Sequence, residues 1–227
     1  MGRWVTGGEA MGAEGWTERA RALYEEAVFG GDDGALTAAG HELDAVEADL
    51  SLARGRIAHA RFLRDGEEDP DELPLFLRAR GLYRSLGDTR GEAEAVFWLG
   101  TYHQVVRHDH DTALPLLERS YALASAAGDR LTMSYAARHL GIAAHAAGRL
   151  DVARERLEES TRLRRELGFL PGVAANLVGL VHVALDEGRA GDAETLAAEA
   201  AELAEAGGAK AILRQVEEAR ARLAATS

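Results

Sequence analysis

Eight histidines and no cysteine set the first limits on the chemistry open to this 227-residue chain. Without thiols there is no disulfide, no thiolate nucleophile and no cysteine-ligated zinc. The most metal-like string is His108-Asp109-His110-Asp111, which mixes imidazole and carboxylate groups of the kind that suit zinc, copper or nickel. One short loop supplies few well-placed ligands, so a solvated turn is the better reading. His182 and Asp186 stand one helical turn apart, an ordinary arrangement on a helix surface. No histidine pair brackets a glutamate at metalloprotease spacing. There is also no Gly-x-Ser-x-Gly elbow and no glycine loop built to cradle phosphate. The expectation is a non-enzymatic chain with no cofactor and no metal. A histidine-based metalloprotein or enzyme is the weakest alternative.

The densest group of rings is Phe97, Trp98, Tyr102 and His103, with Tyr135 and His139 further along. Such a cluster is either a ligand pocket or the core between packed helices, and side-chain contacts decide between the two.

The elements that position these residues are helical. Hydrophobic residues make up 47% and charged residues 28%, with only four prolines, and Ala, Leu, Glu and Arg dominate. The net charge is −12 and no basic run is long enough to form a stripe, which argues against nucleic acid and against an anionic membrane surface. No stretch approaches the 18 or so apolar residues of a membrane span, and the first residues lack the apolar run of a secretory signal. A cytoplasmic location is the expectation. A single lysine, Lys210, among 26 basic residues, together with abundant alanine, hints at a high-GC bacterial genome.

Glycines punctuate the chain. Leu86-Gly87, Ala127-Gly128, Leu167-Gly168 and Gly207-Gly208 recur at intervals of 41, 40 and 40 residues. Each closes one helical stretch and opens the next. Leu99-Gly100, Leu140-Gly141 and Leu180-Val181 keep the same spacing, as do Ala113, Ala153 and Ala193, and then Ser120, Ser160 and Ala200. Within units, Gly148-Arg149 and Gly188-Arg189 mark the inner turns. The earlier unit has Arg107 to Asp111 there, with one extra residue that reads as an insertion in the turn. Apolar and small residues at three- and four-residue steps give each helix an apolar face, and a hairpin of this kind must stack on neighbours to bury it.

This pattern resembles the tetratricopeptide repeat, clearly over residues 90 to 208, with units longer than the usual 34 residues as in bacterial regulators and kinesin light chains. The resemblance implies an all-α right-handed superhelix: about five helical hairpins plus a C-terminal capping helix over residues 16–227. Residues 1–15, with five glycines and no periodicity, are expected to be disordered. Two further helices are expected upstream, near 17–29 and 35–48, and another near 50–63. About eleven helices result. The resemblance also implies that the first helix of each hairpin lines a concave groove binding a protein or peptide segment. Carried over position by position, it points to Arg56, to Glu94, Phe97, Thr101 and Gln104, to Tyr135, Arg138, Ile142 and His145, and to His182 as groove residues, and the ring cluster adds Trp98 and His139 beside them. Cationic and aromatic side chains in that set suit an acidic peptide or a small anionic ligand. A small-ligand sensor using the aromatic, Arg and His residues of the central repeats is the alternative. The competing reading of the charged members is internal ion pairing, with Glu94 and Asp186 as partners. No seam for self-association is evident in the sequence.

Overall fold

The computed structural model describes residues 13–31 and 33–226, and its regular structure there is helical. Ten α-helices follow one another: α1 (Ala13–Gly30), α2 (Asp33–Asp65), α3 (Glu72–Leu86), α4 (Thr89–Thr101), α5 (His110–Ala127), α6 (Arg130–Ala146), α7 (Leu150–Glu166), α8 (Leu170–Asp186), α9 (Ala190–Ala206) and α10 (Lys210–Thr226). The segment 1–15 expected to be disordered lies outside the described residues up to residue 12, and α1 begins at Ala13.

Local chemistry sets the boundaries. Asp129 caps α6, its Oδ1 accepting from the backbone N–H groups of Leu131 and Thr132 at 3.1 and 3.2 Å, and Asp88 and Asp109 cap α4 and α5 in the same way. At the other end of α7, Gly168 takes φ +68°, and Phe169 N–H donates to the Arg164 carbonyl at 2.9 Å. That six-to-one closure requires a left-handed residue, which glycine adopts without steric cost.

Successive helices pack as pairs, α2 with α3, α4 with α5, α6 with α7 and α8 with α9, and α10 closes against α8 and α9. The recurring small residues explain the tight approach. A Cβ on Gly100 would fall 2.9 Å from the Leu117 side chain, so the glycine of the Leu-Gly pair is the hole that receives Leu117. Ser120 and Ser160 are fully buried, and their hydroxyls donate across the pair to the carbonyls of Ala93 (2.8 Å) and Ser134 (2.6 Å). This bonding satisfies a buried hydroxyl that would otherwise destabilise the interface. Ala200 takes the same place in the last pair with no polar group to satisfy.

Two expectations need correction. The helices expected at 35–48 and 50–63 are one helix, the 33-residue α2. Asp49 alone separates the two segments, and nothing there removes a backbone donor or favours a left-handed turn. The described residues therefore carry ten α-helices rather than eleven. The extra residue of the 41-residue unit does not lie in the turn either. It widens the end of α4 into a π-helical stretch, Tyr102–Val106. The turn after it keeps the normal length, with His108 at φ +53° where Gly148 and Gly188 stand in later units.

Candidate functional site

The helices α4, α6, α8 and α10 contact one another in order along one side of the array. The groove residues carried over from the sequence lie on α2, α4, α6 and α8 and in the π-helical stretch, and they separate into three groups.

The first group is paired. The Arg56 guanidinium reaches Glu94 at 3.1 Å and lies over the Trp98 ring, 5.6 Å from its centroid. This is the internal ion pair that competed with the groove reading.

The second group is packed. Phe97 is 2% exposed, and its ring contacts Trp98, Tyr135 and His139 at centroid distances of 5.2, 5.5 and 5.3 Å. The cluster is thus a ring-to-ring layer joining α4 to α6. Gln104 is buried and bonds to His139. Burial first, and the Arg138 and Arg164 charges second, hold the His139 imidazole down at about 3, so the ring is neutral at physiological pH. Thr101 is buried too, its hydroxyl without a hydrogen-bond partner.

The third group forms a cleft. Arg138, Ile142 and His145 of α6, Val178 and His182 of α8, and Gln215, Glu218 and Arg222 of α10 line a space of about 430 Å³. At its mouth Asp186 ties three helices together. It accepts from His145 Nε2 at 2.7 Å and from Arg222 Nη2. Burial pushes the Asp186 carboxyl up, but His145 and Arg222 more than offset it, and the group stays below the ordinary carboxylate range. His182 Nδ1 lies 3.4 Å from Arg222 Nη1 rather than against Asp186. Burial, with the Arg222 and His145 charges, pulls its pKa down.

Arg138 forms the inner wall. Its Nη1 donates to the Ala175 carbonyl at 2.7 Å and to Asn176 Oδ1 at 3.1 Å. Among the described residues no carboxylate pairs with it. Burial lowers its pKa to about 10, so it keeps its charge at neutral pH. Behind it lies a second cation, Arg164 of α7, which is 2% exposed. Arg164 Nη1 donates to Gly172 O (2.8 Å) and to the same Asn176 Oδ1 (3.1 Å), and its guanidinium lies 4.9 Å from the Tyr135 centroid. Burial, then the Arg138 charge, brings Arg164 down to about 9. One amide oxygen therefore serves two desolvated guanidiniums, and positive charge accumulates behind the cleft wall without a matching acid.

Sequence reasoning found Arg138, Ile142, His145 and His182. It missed Arg164, Asn176 and the α10 contribution. A signal for the last exists, because forty residues beyond Ile142 is His182 and forty beyond that is Arg222. The period thus runs on into the helix read only as a cap. In the His108–Asp111 string Asp109 Oδ1 caps α5, and no group of three or more metal-binding side chains occurs among the described residues. No helix of the described residues is long and apolar enough to cross a membrane.

Known proteins share this architecture. Residues 92–166 match the family model of the tetratricopeptide repeat. Two crystal structures of nearly identical TPR-like repeats, from a protein of Podosopora anserina assigned as a kinesin light chain, superpose on the chain with a TM-score of 0.54 each. The first is 17% identical and covers 78% of this chain and 97% of its own. The second, a singly substituted form of those repeats, is 15% identical and covers 79% and 95%. At that identity the likeness is one of fold. Comparison with curated proteins gives no match.

Proposed function

We propose that this chain, whose residues 92–166 match the tetratricopeptide repeat, a class of module that generally binds other proteins, captures an acid-bearing peptide segment of a partner in the cleft between α6, α8 and α10. The observation that carries this reading is Arg138: a desolvated guanidinium at the cleft wall, backed by Arg164, with no carboxylate partner among the described residues. A carboxylate entering the cleft would supply the missing counter-charge in surroundings where a charge-assisted hydrogen bond is strong. Ile142 and Val178 offer an apolar wall for a neighbouring side chain of the peptide.

The packed ring layer supports a scaffolding role for Phe97, Trp98, Tyr135 and His139, which draws the small-ligand alternative away from them. What remains of that alternative is a small anion in the same cleft, whose volume falls within the range of small-molecule sites. A peptide array probed with the intact chain tests the proposal. Acid-bearing segments should be retained, and Arg138→Glu should abolish their retention. Retention of neutral or basic segments, or indifference to Arg138→Glu, contradicts it. A thermal shift with free dicarboxylate or inorganic phosphate but with no peptide would favour the small-anion reading.

A further inference from the structure

One face of α6 runs on past the cleft. Leu131, Tyr135, Arg138, Ile142 and His145 follow at steps of four, three, four and three residues, which keeps them on one side of the helix. The last three line the cleft. The first two line a separate notch of about 250 Å³, completed by Leu167 and Phe169 at the turn from α7 into α8. Two leucines and two aromatic rings therefore form its walls. The Arg130–Glu166 ion pair flanks it, one partner beside Leu131 in the chain and the other beside Leu167. An apolar centre with a polar rim is the anatomy of a contact surface.

The notch is also where this part of the array leaves apolar surface bare. Among the described residues from Arg78 onward, the large apolar side chains that stay exposed are Leu131 and Leu170, at 41 and 39%. Leu131 lines the notch, and Leu170 directly follows Phe169. A single exposed leucine is ordinary, whereas two beside a concave aromatic surface make a patch. The rings are fixed rather than free to collapse inward. Tyr135 and Phe169 meet edge to face with centroids 6.2 Å apart, and the Arg164 guanidinium lies 4.9 and 5.5 Å from them. A Cβ on Gly172 would fall 2.5 Å from the Phe169 ring, so that ring rests on bare backbone. The notch is preformed, and filling it orders few side chains.

Charge identifies the occupant. Arg164 joins the notch to the cleft, since it lies against both notch rings and shares Asn176 Oδ1 with Arg138. An apolar ligand alone would leave that positive charge without a counter-charge, and an acid alone would leave the notch bare. One chain segment carrying both groups satisfies both. The point midway between Leu131 and Tyr135 lies about 8 Å along α6 from Arg138. An extended chain returns to the same side every second residue, about 7 Å on. We propose that the notch is the specificity subsite of the groove, taking a leucine-sized apolar side chain two residues from the acid that Arg138 holds. This rests on the cleft reading above and supplies the second half of the recognised segment.

The test is a library of peptides with blocked ends, each with one Asp, one Leu placed one to four residues from it on either side, and Gly or Ser elsewhere. Binding of the intact chain should be tightest at a spacing of two. Replacing that Leu by Ala should weaken binding about tenfold, the worth of burying about two methylene groups. Leu131→Gln should weaken the Leu peptide by a similar factor and leave the Ala peptide unchanged. Leu131 is exposed, so the helical circular dichroism of that variant should match the parent, and the peptide substitution needs no protein variant at all. Acid-dependent binding that is equal for Leu and Ala peptides overturns the subsite and leaves the cleft reading standing. Absence of any acid-dependent binding overturns both. A Leu131→Gln chain that weakens both peptides equally also overturns the subsite, because the leucine then contacts no peptide side chain. So does light scattering that shows a dimer of the parent lost in Leu131→Gln, because the patch is then covered by a second copy.

Discussion

Gln104 holds His139 at two points. Its Nε2 donates to the His139 carbonyl at 3.1 Å, and its Oε1 lies 2.5 Å from ring Nδ1. A neutral ring can donate there only as the Nδ1–H tautomer, which the depressed pKa favours. Gln104 sits in the π-helical widening Tyr102–Val106, so the one inserted residue of this unit and the bridge from α4 to α6 belong together. Gln104→Leu should destabilise the chain by about 2 kcal/mol, because it leaves a part-buried carbonyl and ring N–H without a partner. Urea denaturation, read as a shift in midpoint at constant slope, measures this.

His139 also sets a pH dependence. The imidazole titrates at about 3 when folded and near 6.5 when unfolded. Between those values the unfolded chain takes up a proton that the folded chain refuses. Its contribution to stability is therefore complete above about pH 6.5 and falls as the pH is lowered toward 3. Between about pH 7 and pH 5 the loss from this ring is about 2 kcal/mol. His139→Gln should show a correspondingly smaller loss than the parent over that interval, even though its stability at neutral pH is lower. Paired urea curves at the two pH values give the comparison.

Asn176 is the joint on which the buried Arg164 and the part-buried Arg138 rest. Its Oδ1 accepts from both Arg138 and Arg164, and its Nδ2 donates to Ser160 Oγ at 2.8 Å. Asn176→Ala removes the shared acceptor and should cost about 3 kcal/mol, more than an average buried polar truncation, because the orphaned groups are charged. A thermal melt showing less than about 1 kcal/mol of loss would mean that the guanidiniums find other acceptors.

His108 occupies the left-handed position that glycine fills in the next units. His108→Gly should stabilise the chain by about 0.5–1 kcal/mol: relief of left-handed strain exceeds the extra backbone entropy that glycine loses on folding. A raised melting temperature checks this, and an unchanged or lowered one contradicts it.

The array was legible in the sequence because its signals are local and repeated: glycine at each left-handed closure, small residues where helices touch, aspartate at several helix starts. The placement of the inserted residue was not, because a π-widened helix end and a lengthened turn have the same residue count and differ only in backbone hydrogen bonding. The continuity of α2 was missed at Asp49, since an apolar residue on either face of a long helix looks like the start of another period. In the cleft, Arg138 and His182 came from the groove positions that the repeat resemblance implies, with helical period grouping them on one face. Arg164 did not, because an arginine on the second helix of a pair reads as a solvated charge until Asn176, Tyr135 and Phe169 are seen around it. The ring cluster left both readings open in the sequence, and only the ring-to-ring distances resolved it into packing.

The most direct measurement is the dissociation constant of an array-selected acidic peptide for the parent, for Arg138→Gln and for His182→Ala, each with its melting temperature recorded. The expected result is at least a tenfold weakening for Arg138→Gln, about 1.4 kcal/mol or more, in a variant still folded at the assay temperature, and a smaller weakening for His182→Ala at the cleft edge. Equal affinity of a folded Arg138→Gln chain and its parent would contradict the assignment of the cleft between α6, α8 and α10 as the binding site.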